Sequence, residues 1–176
     1  LDAYWTPEPQ VPLYLRVAGT PDNSFLPGFE ADLRVAWQPL PELSPVLGLR
    51  YLHFPTDDVL VLQLGLIVSP WPETVRLDLR WVHAESRVVR ATDLLLVRLE
   101  FLLDEGTSVY GLLSYGDEGV PPLAVATAWT LAGGVILRIV EPRDGFGFLM
   151  RVDYTFEDRF DTYIRHSVNV GLAVLF

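Results

Sequence analysis

Apolar residues recur at every second position along most of this chain. The pattern is clearest near the carboxy terminus, where Val168, Val170, Leu172 and Val174 alternate with small or polar residues before the terminal Phe176. A period of two places successive side chains on opposite faces of an extended strand. No stretch of the sequence sustains the period of an amphipathic helix. The pattern therefore predicts an all-β protein.

Turn-forming residues divide the alternating pattern into ten predicted strands within a single domain, residues 1–176. The connections between the strands are rich in Pro, Gly, Asp and Ser. Such spacing is typical of an antiparallel up-and-down meander that closes into a barrel and so removes its edges. The ten predicted strands cover residues 12–19, 29–38, 45–54, 59–69, 74–83, 94–103, 108–116, 123–140, 145–157 and 163–176.

The number of strands depends mainly on Gly133-Gly134, which could form a two-residue hairpin turn. Against a turn, the apolar phase continues without a break through Trp129, Leu131, Val135 and Leu137. One long strand is therefore favoured. Barrels of eight or twelve strands remain open.

The apolar phase predicts a barrel whose outer face contacts lipid. Hydrophobic residues make up 50% of the chain, yet no charge-free apolar run reaches the length of a membrane helix, about 20 residues. Bulky side chains occupy one phase and small or charged side chains occupy the other, which suits a crowded interior. The alternative is a soluble, lipocalin-like barrel that encloses its apolar phase around a hydrophobic ligand.

The aromatic residues of the apolar phase support the membrane interpretation. If both chain termini lie on the periplasmic side, these residues fall at two levels, as the aromatic girdles of membrane barrels do. The periplasmic level comprises Trp37, Phe101, Phe146, Phe148 and Phe176, and the outer level comprises Phe29, Tyr51, Trp81, Tyr115, Trp129, Tyr154 and Phe156.

Charged residues of both signs occupy the middle of the opposite phase. Because unpaired charges are costly in a narrow interior, we expect arginines to bridge carboxylates on neighbouring strands and to plug the barrel. The alternative is a narrow, porin-like channel for small solutes or ions. The predicted network contains Glu30, Asp32, Arg34, Arg50, Arg76, Asp78, Arg80, Arg98, Glu100, Arg138, Arg151, Asp153 and Arg165.

The sequence predicts no catalytic site, cofactor or metal centre. His53, His83 and His166 share the apolar phase near one end of the predicted barrel. We interpret them as side chains at the membrane surface, not as general bases. The chain has no cysteine, and its net charge of -10 argues against nucleic acid as a partner. All thirteen basic residues are arginine, a thermophile-like composition.

The carboxy-terminal strand resembles the terminal signature of bacterial outer-membrane barrels. Val168, Val170, Leu172, Val174 and Phe176 carry the resemblance, although many members have an aromatic residue where this chain has Val174. As a pattern, the whole chain is similar to the small barrels of the OmpA transmembrane domain, OmpX and OmpW kind. The resemblance implies that this segment is an assembly signal read by the outer-membrane assembly machinery. It also implies a bacterial outer-membrane location, the lipid bilayer as a partner, and a structural, envelope-anchoring or interaction role with other envelope components.

Overall fold

The computed structural model describes residues 2–20, 27–88, 90–104, 106–118, 126–140, 147–160 and 163–175. The described residues form eleven strands and no helix. The strands are β1 (Asp2–Glu8), β2 (Val11–Gly19), β3 (Phe29–Ala36), β4 (Leu43–His53), β5 (Asp58–Trp71), β6 (Val75–Ser86), β7 (Thr92–Leu102), β8 (Thr107–Glu118), β9 (Ala126–Val140), β10 (Gly147–Arg159) and β11 (Tyr163–Leu175).

All eleven strands belong to one sheet, and their order in the sheet is their order in the sequence. Every two consecutive strands pair antiparallel. The all-β, antiparallel, up-and-down arrangement predicted from the sequence is therefore confirmed. Among the residues with described structure, we find no helix with the length and apolar character needed to cross a membrane.

The ten predicted strands correspond to β2 through β11, usually within two or three residues at each end. The sequence did not predict β1. This strand is short, contains Pro7, and changes register between Trp5 and Glu8, so its alternation is weak. Gly133-Gly134 lies inside the continuous strand β9, as the unbroken apolar phase predicted.

The outermost strands, β1 and β11, each have one paired neighbour. In the described part of the chain no ladder joins them, so the sheet has two free edges. Eleven alternating strands make β1 and β11 run in the same direction, which places Asp2 and Leu175 at opposite ends of the sheet. This differs from the expectation that both termini share one side, and the additional strand β1 is the reason.

The two faces of the sheet differ sharply in exposure. The apolar phase is exposed: Leu64 on β5 and Leu95 on β7 keep 45% and 57% of their surface accessible. On the opposite face Asp32 and Glu157 keep only 3% and 4%. Because a single sheet has no second layer to cover it, the sheet must curl around its charged face. We call the charged face the enclosed face and the apolar face the outward face.

Candidate functional site

Strand register brings opposite charges together on the enclosed face. Asp32 on β3 is paired with Arg16 on one side and Arg50 on the other. Asp78 is paired with Arg98, and Glu100 is paired with Arg76. Opposite charges in directly paired positions stabilise a sheet and fix its register.

Several close contacts of this network join residues two apart on one strand. Arg34 donates to both carboxylate oxygens of Asp32, through Nε at 3.1 Å and a terminal nitrogen at 2.5 Å. Arg80 binds Asp78 in the same bidentate geometry, through Nε at 2.9 Å and a terminal nitrogen at 2.6 Å. Residues i and i+2 share a face of a strand, so a long arginine can fold back along it. The sequence predicted bridges between strands, and these two pairs lie within strands.

Bridges between neighbouring strands also occur. Glu30 on β3 lies 3.1 Å from Arg50 on β4 and 3.8 Å from Arg16 on β2, measured from carboxylate oxygen to guanidinium nitrogen. Arg165 on β11 binds Glu157 on β10. Glu157 also accepts hydrogen bonds from Arg159 at 2.7 Å and from the Tyr163 hydroxyl at 3.0 Å. The predicted network was limited to charges in the middle of strands, so it omitted Glu157, the last residue of its predicted strand, and Arg159 beyond it, whereas β10 continues to Arg159.

Tyr110 is the most buried aromatic residue in the described structure, with 3% of its surface exposed. The Arg98 guanidinium lies 4.4 Å from the centre of its ring and the Arg151 guanidinium lies 5.3 Å away. Arg151 Nε donates to the Tyr110 hydroxyl at 3.0 Å and to Asp153 at 2.8 Å. Contact between a guanidinium and an aromatic face is favourable, and more so away from water. The sequence signal for Tyr110 was its place in the polar phase of its strand, between Ser108 and Ser114.

Two predicted network residues, Arg76 and Arg138, have no carboxylate within ion-pair distance among the described residues. Arg76 lines a cavity of about 170 Å³ with Asp78, Arg80, Arg98 and Glu100. Arg138 lines a second cavity of about 270 Å³, which shares Glu100 with the first. Within the described part of the chain, the network therefore divides into paired arginines and two arginines without a carboxylate partner.

Asp104, in the turn between β7 and β8, also lines the larger cavity. The backbone N–H of Gly106 donates to its carboxylate at 2.7 Å, and this hydrogen bond holds the pKa of Asp104 below its usual value. Asp104 is therefore ionised at neutral pH and already has a donor.

The three histidines lie on the outward face near one end of the sheet, each beside an aromatic residue. His53 Nδ1 lies 2.7 Å from Asp58, which also accepts a hydrogen bond from the Tyr51 hydroxyl at 2.7 Å. His83 and Trp81 both contact the Asp93 carboxylate at 3.0 Å. His166 Nδ1 lies 2.5 Å from the Tyr154 hydroxyl.

No nucleophilic serine joins these histidines in the described structure. Ser86 donates to Asp57, a buried carboxylate that also accepts from the Arg87 backbone N–H at 3.1 Å. His53 is directed to the outward face with Asp58. No group of three or more metal-ligating side chains occurs in the part of the chain that is described. The absence of a catalytic site stays a prediction.

The predicted assembly signal lies on β11 at the free edge of the sheet. Val168, Val170 and Leu172 are exposed by 69%, 67% and 79%. Val174 is paired with Phe148 of β10. Phe176 and Phe146, which were assigned to the periplasmic aromatic level, lie outside the described residues.

Comparison of the chain with models of protein families, with curated proteins and with solved structures finds no match.

Proposed function

We propose that this protein is an integral β-barrel of the bacterial outer membrane with a structural, envelope-anchoring or interaction role. The observation that carries the proposal is the exposure pattern of the two faces. Carboxylates are buried on the enclosed face while leucines and aromatic residues are exposed on the outward face of almost every strand. This is the reverse of a water-soluble fold.

The free-energy cost of exposing the apolar outward face to water supports the proposal. Removing apolar surface from water contributes about 25 cal/mol per Å². Soluble monomers rarely expose a contiguous apolar patch of more than a few hundred Å². Here the outward face presents apolar side chains across neighbouring strands, including Leu33, Leu49 and Leu60. A lipocalin-like binder would enclose these side chains instead. In a membrane, lipid acyl chains cover these side chains, and no further protein is needed.

Closure of the sheet into a barrel is the second element of the proposal. A membrane supplies no hydrogen bonds to the free edges of β1 and β11, so these edges must be paired. The seam that needs no rearrangement joins β11 to β1. Because these strands run in the same direction, the seam is parallel and the barrel has eleven strands.

The aromatic residues of the outward face give the proposed depth in the bilayer. On the outer level, Phe29 contacts Tyr51 at 6.4 Å and Tyr115 contacts Trp129 at 4.4 Å between ring centres. Tyrosine and tryptophan favour the boundary between acyl chains and headgroups. The polar ends of His53 and His83, with their aspartates, then lie at headgroup level.

The paired charges favour a structural role over transport. Arginine and carboxylate side chains that bind one another within and between strands stabilise register and occupy the interior. The second candidate function, a narrow channel, is favoured by one observation, namely that Arg76 and Arg138 line cavities and have no carboxylate partner among the described residues. The proposed partners are the bilayer, the assembly machinery and other envelope components.

Folding with and without detergent tests the proposal. We expect the chain to aggregate in plain buffer and to fold in detergent micelles or lipid vesicles. Folded samples should also migrate differently on a gel before and after boiling. A folded monomer in plain buffer would overturn the proposal. For the channel alternative, planar-bilayer recordings should show conductance steps that Arg76→Ala alters.

A further inference from the structure

The enclosed face has more arginine than carboxylate, although the chain as a whole has a net charge of -10. The cavity lined by Arg76, Asp78, Arg80, Arg98 and Glu100 shows this imbalance in one place, since three guanidinium groups face two carboxylates. The excess acidic residues of the chain lie elsewhere, largely in the connections and at the ends of the strands.

Both carboxylates of this cavity already have partners. Asp78 accepts two hydrogen bonds from Arg80. Glu100 accepts from the Ser108 hydroxyl at 2.8 Å and lies 3.3 Å from Arg98. Three guanidinium groups against two carboxylates give the cavity an excess of positive charge, which disfavours a metal cation.

Two arginine groups in the cavity retain donors. The Nε atom of Arg98 is buried and has no hydrogen-bond partner in the described structure. Arg76 lies opposite Glu100 in the β6–β7 ladder, yet it makes no ion pair within the described residues. A bound acceptor removes the cost of leaving the buried Arg98 Nε without a hydrogen bond, while the exposed Arg76 supplies a second guanidinium group to the same cavity.

We infer that this cavity binds a small oxyanion between Arg76 and Arg98. Planar guanidinium groups recognise phosphate and carboxylate oxygens through paired N–H donors, so the ligand class is a phosphate or a compact carboxylate. The cavity volume of about 170 Å³ limits the ligand to a group of this size. This site goes beyond the proposed structural role and assumes only that the enclosed face is the barrel interior.

Titration of the native, detergent-folded chain with inorganic phosphate tests the inference. We expect saturable binding by calorimetry or ³¹P NMR at constant ionic strength, which is needed because salt screens charges near the surface. Arg76→Gln should weaken phosphate binding by about tenfold or more, since it removes hydrogen bonds to a charged ligand. Arg76→Lys should retain weaker binding, because lysine keeps the charge and loses the fork of donors.

Arg16→Gln is the matched control. Arg16 lies on the enclosed face at β2, away from this cavity, and its replacement makes the same change in charge. Phosphate affinity should stay within about twofold of the native value in this variant, because Arg16 does not line the cavity and distant exposed charges contribute little. The gel shift on boiling verifies that each variant is folded.

Two outcomes would overturn the inference. The first is a folded native chain that shows no saturable phosphate binding. The second is an equal loss of affinity in Arg16→Gln and Arg76→Gln, which would mean that only overall charge matters. A chain that inserts into bilayers and does not bind phosphate overturns this inference alone, whereas a chain that folds in plain buffer overturns the proposed function.

Discussion

Tyr110 accepts a hydrogen bond from Arg151 across 3.0 Å although strand β9 lies between them. The residue of β9 at this point is Gly134, which is paired with Tyr110 on one side and Asp153 on the other. With no side chain at Gly134, Arg151 reaches over β9 to the phenol. The enclosed face is therefore linked across three strands at its most buried aromatic residue.

Gly134→Ala should destabilise the sheet at this link. A Cβ atom at Gly134 would lie 2.6 Å from the Val152 carbonyl oxygen and 2.7 Å from the Asp153 Cβ, closer than packed atoms approach. We expect a loss of about 1–3 kcal/mol in the free energy of unfolding, measured with urea in lipid vesicles.

Gly133→Ala is the control for that substitution. Its Cβ would meet only the Tyr110 carbonyl oxygen, at an ordinary 3.5 Å. The stability should change by less than about 1 kcal/mol, because alanine is compatible with an extended strand. Equal losses in the two variants would contradict the close approach at Gly134.

Asp32→Asn should lower the free energy of unfolding, because it breaks an ion pair on the enclosed face. Asp32 is 3% exposed and accepts two hydrogen bonds from Arg34, so the amide leaves that guanidinium without its charged acceptor. We expect a loss of about 1.5–3 kcal/mol in the same unfolding measurement.

Asp93→Asn makes the same change on the outward face, where the Asp93 side chain is 61% exposed beside His83. Exposed contacts of this kind, here between Asp93 and the Trp81 and His83 rings, contribute about 1 kcal/mol or less. If Asp93→Asn were the more damaging variant, the assignment of the two faces would be wrong.

Leu64→Arg tests the outward face in the middle of β5. Leu64 is 45% exposed, and in a lipid environment an arginine at mid-depth costs about 2–4 kcal/mol. Leu103→Arg is the control, because Leu103 lies in the turn after β7 and is 65% exposed. We expect folding yield in vesicles to fall only for Leu64→Arg. An unchanged or improved yield for Leu64→Arg would indicate that water, not lipid, covers this face.

Engineered disulfides locate the seam of the barrel. The described chain has no cysteine, so introduced pairs have no competing thiols there. A disulfide needs Cα atoms about 4.4–6.8 Å apart, which paired strands satisfy. We expect cysteine at Asn169 of β11 to cross-link with positions scanned along β1, from Ala3 to Thr6. Cross-links only to Tyr14 or Arg16 of β2, which share the enclosed face with Asn169, would instead indicate a ten-stranded, antiparallel closure from which β1 has been displaced.

Alternation predicted the strands and their faces because it follows directly from the geometry of an extended chain. The uninterrupted phase through Gly133-Gly134 is one example, and the outward position of His53 and His83 is another. The partners of each arginine were not predictable in this way. Whether Arg34 turns back to Asp32 or crosses to β4 depends on rotamers and on the curl of the sheet, neither of which alternation encodes. β1 was missed because Pro7 and the register change near it weaken the alternating signal.

Contact between tryptophan and lipid chains tests the central claim most directly. Trp37 and Trp129 lie on the outward face, exposed by 54% and 39%. In vesicles of lipids brominated on their acyl chains, the folded protein should lose much of its tryptophan fluorescence, while aqueous iodide should have little effect. Folded protein whose fluorescence is insensitive to brominated lipid and quenched by iodide would contradict the proposal that the outward face is embedded in a membrane.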